Sequence, residues 1–87
     1  MRDDEYPEVE IDYPTLWSYK LIGPDEAGLR DAIALAVGER DHEVAISRRS
    51  SGGKYISLRL ELTVTSHDER RGIANALHVH AAVRFVL

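Results

Sequence analysis

There is no cysteine among the 87 residues. That excludes disulfides, thiolate zinc sites and a cysteine nucleophile, and it suits a reducing compartment. Aromatic residues are few, one Phe, one Trp and four Tyr, so a platform for stacking nucleic-acid bases has little to be built from. No apolar run approaches the roughly 18 to 20 residues of a membrane span. The opening MRDDEYPEVEID is acidic, where a secretory signal needs a basic start and an apolar stretch. A soluble cytoplasmic protein with no membrane role is the expectation. A basic excess is also missing: the formal net charge is −4, and residues 1–12 hold six acids against Arg2. The other residues carry ten Lys and Arg against nine Asp and Glu, so the acidity belongs to the N-terminal segment. Nucleic-acid binders neutralise phosphates with an excess of cations, which disfavours nucleic acid as a partner here.

What the chain does have is periodicity. Residues 1–12, charged and close to Pro7 and Pro14, are expected to form an extended flexible arm, and a single domain is expected over residues 13–87. In TLWSYKLI, Trp17, Tyr19 and Leu21 alternate with Ser18 and Lys20, a first strand that Gly23 and Pro24 end. Asp25 suits the N-cap of a helix whose Leu29, Ala32, Ile33, Ala36 and Val37 form one stripe, with Gly38 as its stop. A second strand follows with Val44 and Ile46 on one face. In ISLRLELTVTS, five apolar residues from Ile56 to Val64 alternate with polar ones, predicting a long half-buried third strand. Ser66 and Glu69 fit a capping box for a second helix with Ile73, Ala76 and Leu77 inward. AVRFVL predicts a last strand with Val83 and Phe85 inward.

The order β-α-β-β-α-β predicts a ferredoxin-like α+β sandwich, a four-stranded antiparallel sheet with two helices on one face. Right-handed crossovers put strands 1 and 3 in the centre and strands 2 and 4 at the edges. A domain of this size buries only roughly 60% of its unfolded surface, so no deep cofactor pocket, and no cofactor, is expected.

RRSSGGKY, residues 48–55, has the composition of a phosphate cradle. A phosphate-binding loop, however, needs G-x-x-x-x-G-K-[ST] opening a helix. Here Arg48 stands five before Gly53, Tyr55 follows Lys54, and a strand comes next. Gly52-Gly53 therefore predicts a hairpin turn, leaving Arg48, Arg49 and Lys54 as an exposed basic tip that can attract an anion or an acidic partner surface. The open sheet face is predicted to carry Lys20, Arg49, Arg59 and Arg84, with Tyr55 at its edge as the one ring able to stack. His78 and His80 have a metal-ligand spacing but lack a nearby third ligand, and a solvated pair is the expectation. Serines 50, 51 and 57 have no base placed to activate them, and the acids at 25, 26 and 31 suit a helix start. No metal site and no enzyme are predicted.

Tyr13-Pro14, Tyr19 to Gly23, SSGGKY-x-S over residues 50–57, Leu62 to Ser66 and the closing Val86-Leu87 resemble the YbeD-like family of small bacterial proteins. Lys54 stands where members commonly have asparagine, and Ala81 where they have proline. The resemblance covers residues 13–87 and implies a domain similar to ACT-type regulatory domains; its members carry lipoate regulation as a suggestion. Pro24 to Leu29 also looks like the turn with which ACT domains start their first helix and meet amino-acid effectors, with alanine in place of its proline. The resemblance thus adds Gly23, Asp25 and Gly28 as an effector turn.

Three functions follow as expectations. The first is a non-enzymatic regulatory or adaptor domain binding a protein partner or small metabolite through Lys20, Arg48, Arg49, Lys54, Tyr55 and Arg59. The alternatives are a nucleic-acid-binding domain and an amino-acid effector domain. The acidic arm is expected to fold back over the basic open face as a salt-sensitive cover. A monomer or weak homodimer is expected, the latter by pairing of sheet edges.

Overall fold

Thr15–Gly23, Glu26–Val37, Glu43–Arg49, Ile56–Val64, His67–His78 and Phe85–Val86 form β1, α1, β2, β3, α2 and β4 in a computed structural model that describes residues 11–50 and 52–87. The arm and its proposed cover lie outside the described residues, apart from Ile11 and Asp12. The sheet order is β2-β3-β1-β4 with every neighbouring pair antiparallel. This is the predicted ferredoxin-like sandwich.

β1 and β3 pair without interruption from Thr15↔Val64 to Gly23↔Ile56. Alternation makes this register unique, because a slip by one residue would turn the whole leucine set of β3 to solvent. One sheet face therefore buries Tyr19, Leu21, Ile56, Leu58, Leu60, Leu62 and Val64 under Leu29, Ala32, Ile33 and Val37 of α1 and Ile73 and Leu77 of α2. Each fully buried leucine contributes about 1.5–3 kcal/mol relative to exposure.

Both helix starts are capped as expected. Asp25 Oδ2 accepts from the Gly28 amide at 2.8 Å, and Ser66 Oγ accepts from the Glu69 amide at 3.0 Å. Glu69 reaches back one residue further than a standard capping box, its carboxylate accepting from the Thr65 amide and hydroxyl. The same carboxylate pairs with Arg40, tying the end of α1 to the start of α2.

Two inward assignments are corrected. Ala76 is exposed, and Ala74 packs against the core instead. The stripe of α2 is turned toward Arg70, whose guanidinium lies 4.5 Å from the centre of the Trp17 ring while its Nε donates to Tyr13 Oη at 3.1 Å. Tyr19 Oη donates to the Arg70 carbonyl at 2.7 Å, and burial pushes this phenol above its ordinary pKa. Phe85 points outward and Val86 inward, because β4 pairs Val86 with buried Leu21 and Phe85 with Ile22. Val83 is buried as expected, but it lies in a turn, its amide donating to the His80 carbonyl. The inward pair is thus Val83 and Val86, three residues apart, and the period-2 pattern does not hold there.

Candidate functional site on the open face of the sheet

With both helices on one side, the other side of the sheet is uncovered among the described residues, and the register orders its side chains into rows. The first row runs Arg48, Ser57, Ile22, Phe85 from β2 to β4. The second holds Ala45, Arg59 and Lys20, and Leu87 joins it by exchanging two backbone hydrogen bonds with Lys20, of 3.1 and 2.8 Å. Glu43, Glu61 and Ser18 make the third, Thr63 and Leu16 the fourth. Tyr55, two residues before Ser57, shares its parity and stands just beyond the first row.

The first two rows surround a shallow depression of about 300 Å³ lined by Lys20, Ile22, Arg48, Ser50, Tyr55, Ile56, Ser57 and Leu87. Apolar surface is prominent around it: Phe85 is 59% exposed, Leu87 72% and Tyr55 44%. Cations and apolar side chains thus alternate over a few ångströms, an arrangement suited to an anion that carries an apolar or aromatic neighbour. The opposite end is acidic, with a second depression of about 430 Å³ lined by Leu16, Asp41, His42, Glu43, Glu61 and Thr63. The two ends meet where Arg59 Nε lies 3.6 Å from Glu61 Oε2.

The structure brings together Lys20, Arg48, Arg59 and Tyr55 and separates Arg49 from them. The cause is a β-bulge: Ile46 pairs with Leu58 but Arg48 pairs with Ser57, so Ser47 is an extra residue on β2. A bulge of one residue exchanges the two faces beyond it, and the expected face assignments of the two arginines are reversed. Arg48 takes the open face; Arg49, opposite buried Ile56, crosses to the helix side and pairs with Glu26 at 3.1 Å. Hydrogen bonds first from Arg30 and then from Arg49 hold the Glu26 carboxyl below its ordinary pKa. Arg84 precedes β4, its amide donating to the Ile22 carbonyl, and has the parity of Val86, not that of the open-face Phe85. Ile46, expected on one face of β2 with Val44, is 45% exposed at the β2 edge beside the bulge.

The hairpin expectation holds for the described residues 50 and 52–55, Ser51 lying outside them. The Ser50 amide donates to the Tyr55 carbonyl, the Gly53 amide to the Ser50 carbonyl, and the Tyr55 amide to Ser50 Oγ. Gly53 has φ 70°, a left-handed conformation that costs other residues energy. Its amide faces the turn, not a ligand, and Lys54 is exposed at the tip. The turn at Gly23, Asp25 and Gly28 is packed by the segment before β4. A Cβ on Gly23 would lie 2.2 Å from the Ala82 carbonyl oxygen, and one on Gly28 would lie 2.6 Å from the Ala82 Cβ. His78 ends α2, and His80 Nδ1 accepts from the Ala82 amide at 3.0 Å.

Ile22, Phe85 and Leu87 also belong to this face, and the sequence did not point to them as part of it. Leu16 and Ile22 gave a signal, as apolar residues at the outward parity of β1. Phe85 did not, because its direction depends on the irregular step after Val83.

Fold and face together define a ferredoxin-like domain of ACT-like architecture. The chain belongs to the family described as protein of unknown function (DUF493), whose model matches residues 8–87. A UPF0250 protein of Pseudomonas syringae pv. tomato is 31% identical over the full length of both chains. The solution structure of HP0495 from Helicobacter pylori superposes with a TM-score of 0.84 at 20% identity, covering 100% of this chain and 96% of that one. The ACT domain from GTP pyrophosphokinase of Chlorobium tepidum gives a TM-score of 0.60 at 18% identity, covering 83% and 94%. The YbeD-like resemblance fits this family, which carries no enzymatic name. No helix among the described residues is long and apolar enough to cross a membrane.

Proposed function

We propose that this is a non-enzymatic regulatory or adaptor domain of the cytoplasm, binding an acidic segment of a protein partner at the Arg48–Lys20–Arg59 end of its open face. The observation that carries this reading is the juxtaposition, across two adjacent rows, of three cations with half-buried Ile22 and exposed Phe85, Leu87 and Tyr55. Small-metabolite sites are enclosed and bury most of their ligand; this depression is shallow and open, which favours a peptide or protein surface. Effector binding at the Gly23 to Gly28 turn is less well supported, since the Gly28 amide already serves Asp25 and Ala82 occupies the space beside both glycines. The resemblance to ACT-type domains agrees with a regulatory role.

The test is photo-cross-linking in the native host from a reactive side chain placed at position 85, with position 35 on the outer side of α1 as control. Adducts with an acidic protein other than a second copy of the chain, formed at 85 and lost with Arg48→Glu, are expected. Adducts sensitive to nuclease instead of protease would overturn the reading in favour of nucleic acid.

A further inference from the structure

The open face is basic at one end and acidic at the other, and the order of its rows makes it complementary to itself. The second row carries Lys20 and Arg59, the third Glu43 and Glu61, and the outer rows extend each sign with Arg48 at one end and Asp41 lining the depression at the other. We infer that this face packs against the same face of a second copy of the chain, about a two-fold axis that runs across the strands. Such a rotation keeps the strand order but exchanges the first row with the fourth and the second with the third. Arg59 then lies opposite Glu61 of the second copy, Arg48 opposite Asp41, and Ile22 with Phe85 opposite Leu16, itself 65% exposed. Around the axis the two Arg59 and two Glu61 side chains alternate in sign, so the ion pair within each copy is extended and not broken.

Charge selects this axis over the other face-to-face arrangement. A two-fold axis along the strands would set the Lys20–Arg59 row on itself and the Glu43–Glu61 row on itself, and like charges placed opposite one another oppose association. The interface is isologous, as closed dimers require, and strands of the two sheets run nearly aligned, a common packing of sheet on sheet. Four strands about 4.8 Å apart and four rows about 7 Å apart offer roughly 450 Å² per copy. A total of roughly 900 Å² lies just below the usual lower limit of about 1,000 Å² for a specific interface, giving a weak dimer with a dissociation constant on the order of 100 μM at low salt. The dimer covers the same cations as the proposed partner site, so self-association and partner binding exclude each other. The inference itself depends only on the order of the rows and requires no partner.

Sedimentation equilibrium of the purified full chain tests it by complementation. Arg59→Glu sets a new carboxylate opposite Glu61 of the second copy, and Glu61→Arg sets a new guanidinium opposite Arg59, so each variant alone should weaken the dimer at least about tenfold. Mixed in equal amounts, the two should form a heterodimer, since each like-charged contact becomes an opposite-charged one. Arg71→Glu on the exposed side of α2 should leave the wild-type dimer unchanged, and raising salt should dissociate it. Circular dichroism of each exposed-site variant checks that the fold is kept. A chain that stays monomeric at millimolar concentration overturns the inference. A dimer that both single variants leave intact assigns association to a strand edge and equally overturns it. So does a dimer seen only after removal of residues 1–10, which gives the face to the arm.

Discussion

The two faces of this one sheet obey different rules. On the helix side, five alternate residues of β3 from Ile56 to Val64 are all buried, and apolar character is uniform along the strand. On the open side, the same nine residues present Ser57, Arg59, Glu61 and Thr63, and the character changes row by row from basic to acidic. The helix side is held by volume and exclusion of water, which are insensitive to the identity of individual apolar residues as long as the space is filled. Single charges define the open side, where of these four residues only Ser57 is buried, so it contributes far less burial to the fold. Stability and recognition are therefore separable here, residue by residue along a single strand, and substitutions on alternate positions should report on one without disturbing the other.

The largest contrast is expected between Leu58→Ala and Phe85→Ala. Leu58 is 0% exposed in the centre of the core, and truncation should cost about 2–5 kcal/mol, enough to unfold much of so small a domain. Phe85 should cost no more than about 0.5 kcal/mol while losing partner adducts and weakening the dimer. Urea unfolding of both variants measures the difference; a Phe85→Ala variant as unstable as Leu58→Ala would show that the open face is part of the core. Gly23→Ala comes next. Its Cβ would meet a backbone oxygen that cannot step aside, so β4 must shift from β1, at about 1–3 kcal/mol. Hydrogen exchange should show the loss confined first to the Leu21↔Val86 and Ile22↔Phe85 pairs.

This division explains what could be read from the amino-acid order. Burial on the helix side repeats every second residue in β1 and β3, so element order, central strands and most of the core follow from alternation alone. The open face depends on parity at each position, and parity is lost wherever a strand is irregular. Ser47 adds one residue to β2 without any glycine to mark it, and so Arg48 and Arg49 exchange sides. The turn after Val83 does the same for Phe85. Ala76 was misplaced for another reason: a small apolar residue is tolerated on either side of a helix, and only the contact of Arg70 with Trp17 shows where the stripe of α2 is centred. The charges of the site were all visible; which of them share a face was not.

A smaller effect sharpens the comparison at the boundary of the core. Tyr19→Phe removes the hydrogen bond to the Arg70 carbonyl and should cost about 1 kcal/mol. The pH dependence carries its signature. Because burial raises the folded-state pKa of this phenol, its contribution is fully present below the ordinary tyrosine value of about 10. It is lost as pH rises toward the folded value, where the unfolded chain ionises first. Wild type should lose stability above that pH more steeply than Tyr19→Phe, and parallel curves would mean that Tyr19 ionises as freely in the fold as outside it.

The smallest expected effect distinguishes the arginines that the bulge separates. Glu26 has a lowered folded-state pKa through Arg30 and Arg49, so its stabilisation is present above the ordinary carboxylate range and is lost as pH falls through the folded value. Glu26→Gln should make stability slightly less dependent on pH at the acid end, and Arg49→Ala should do so in part. Arg48→Ala, one residue away on the other side of the sheet, should leave the acid limb of the curve unchanged while weakening partner binding and dimer. Solvent screens the exposed Glu26 pair, so the experiment compares curve shapes, not midpoints. If Arg48→Ala flattens the acid limb and Arg49→Ala does not, β2 beyond Ser47 has the opposite register, and the composition of the first row must be redrawn.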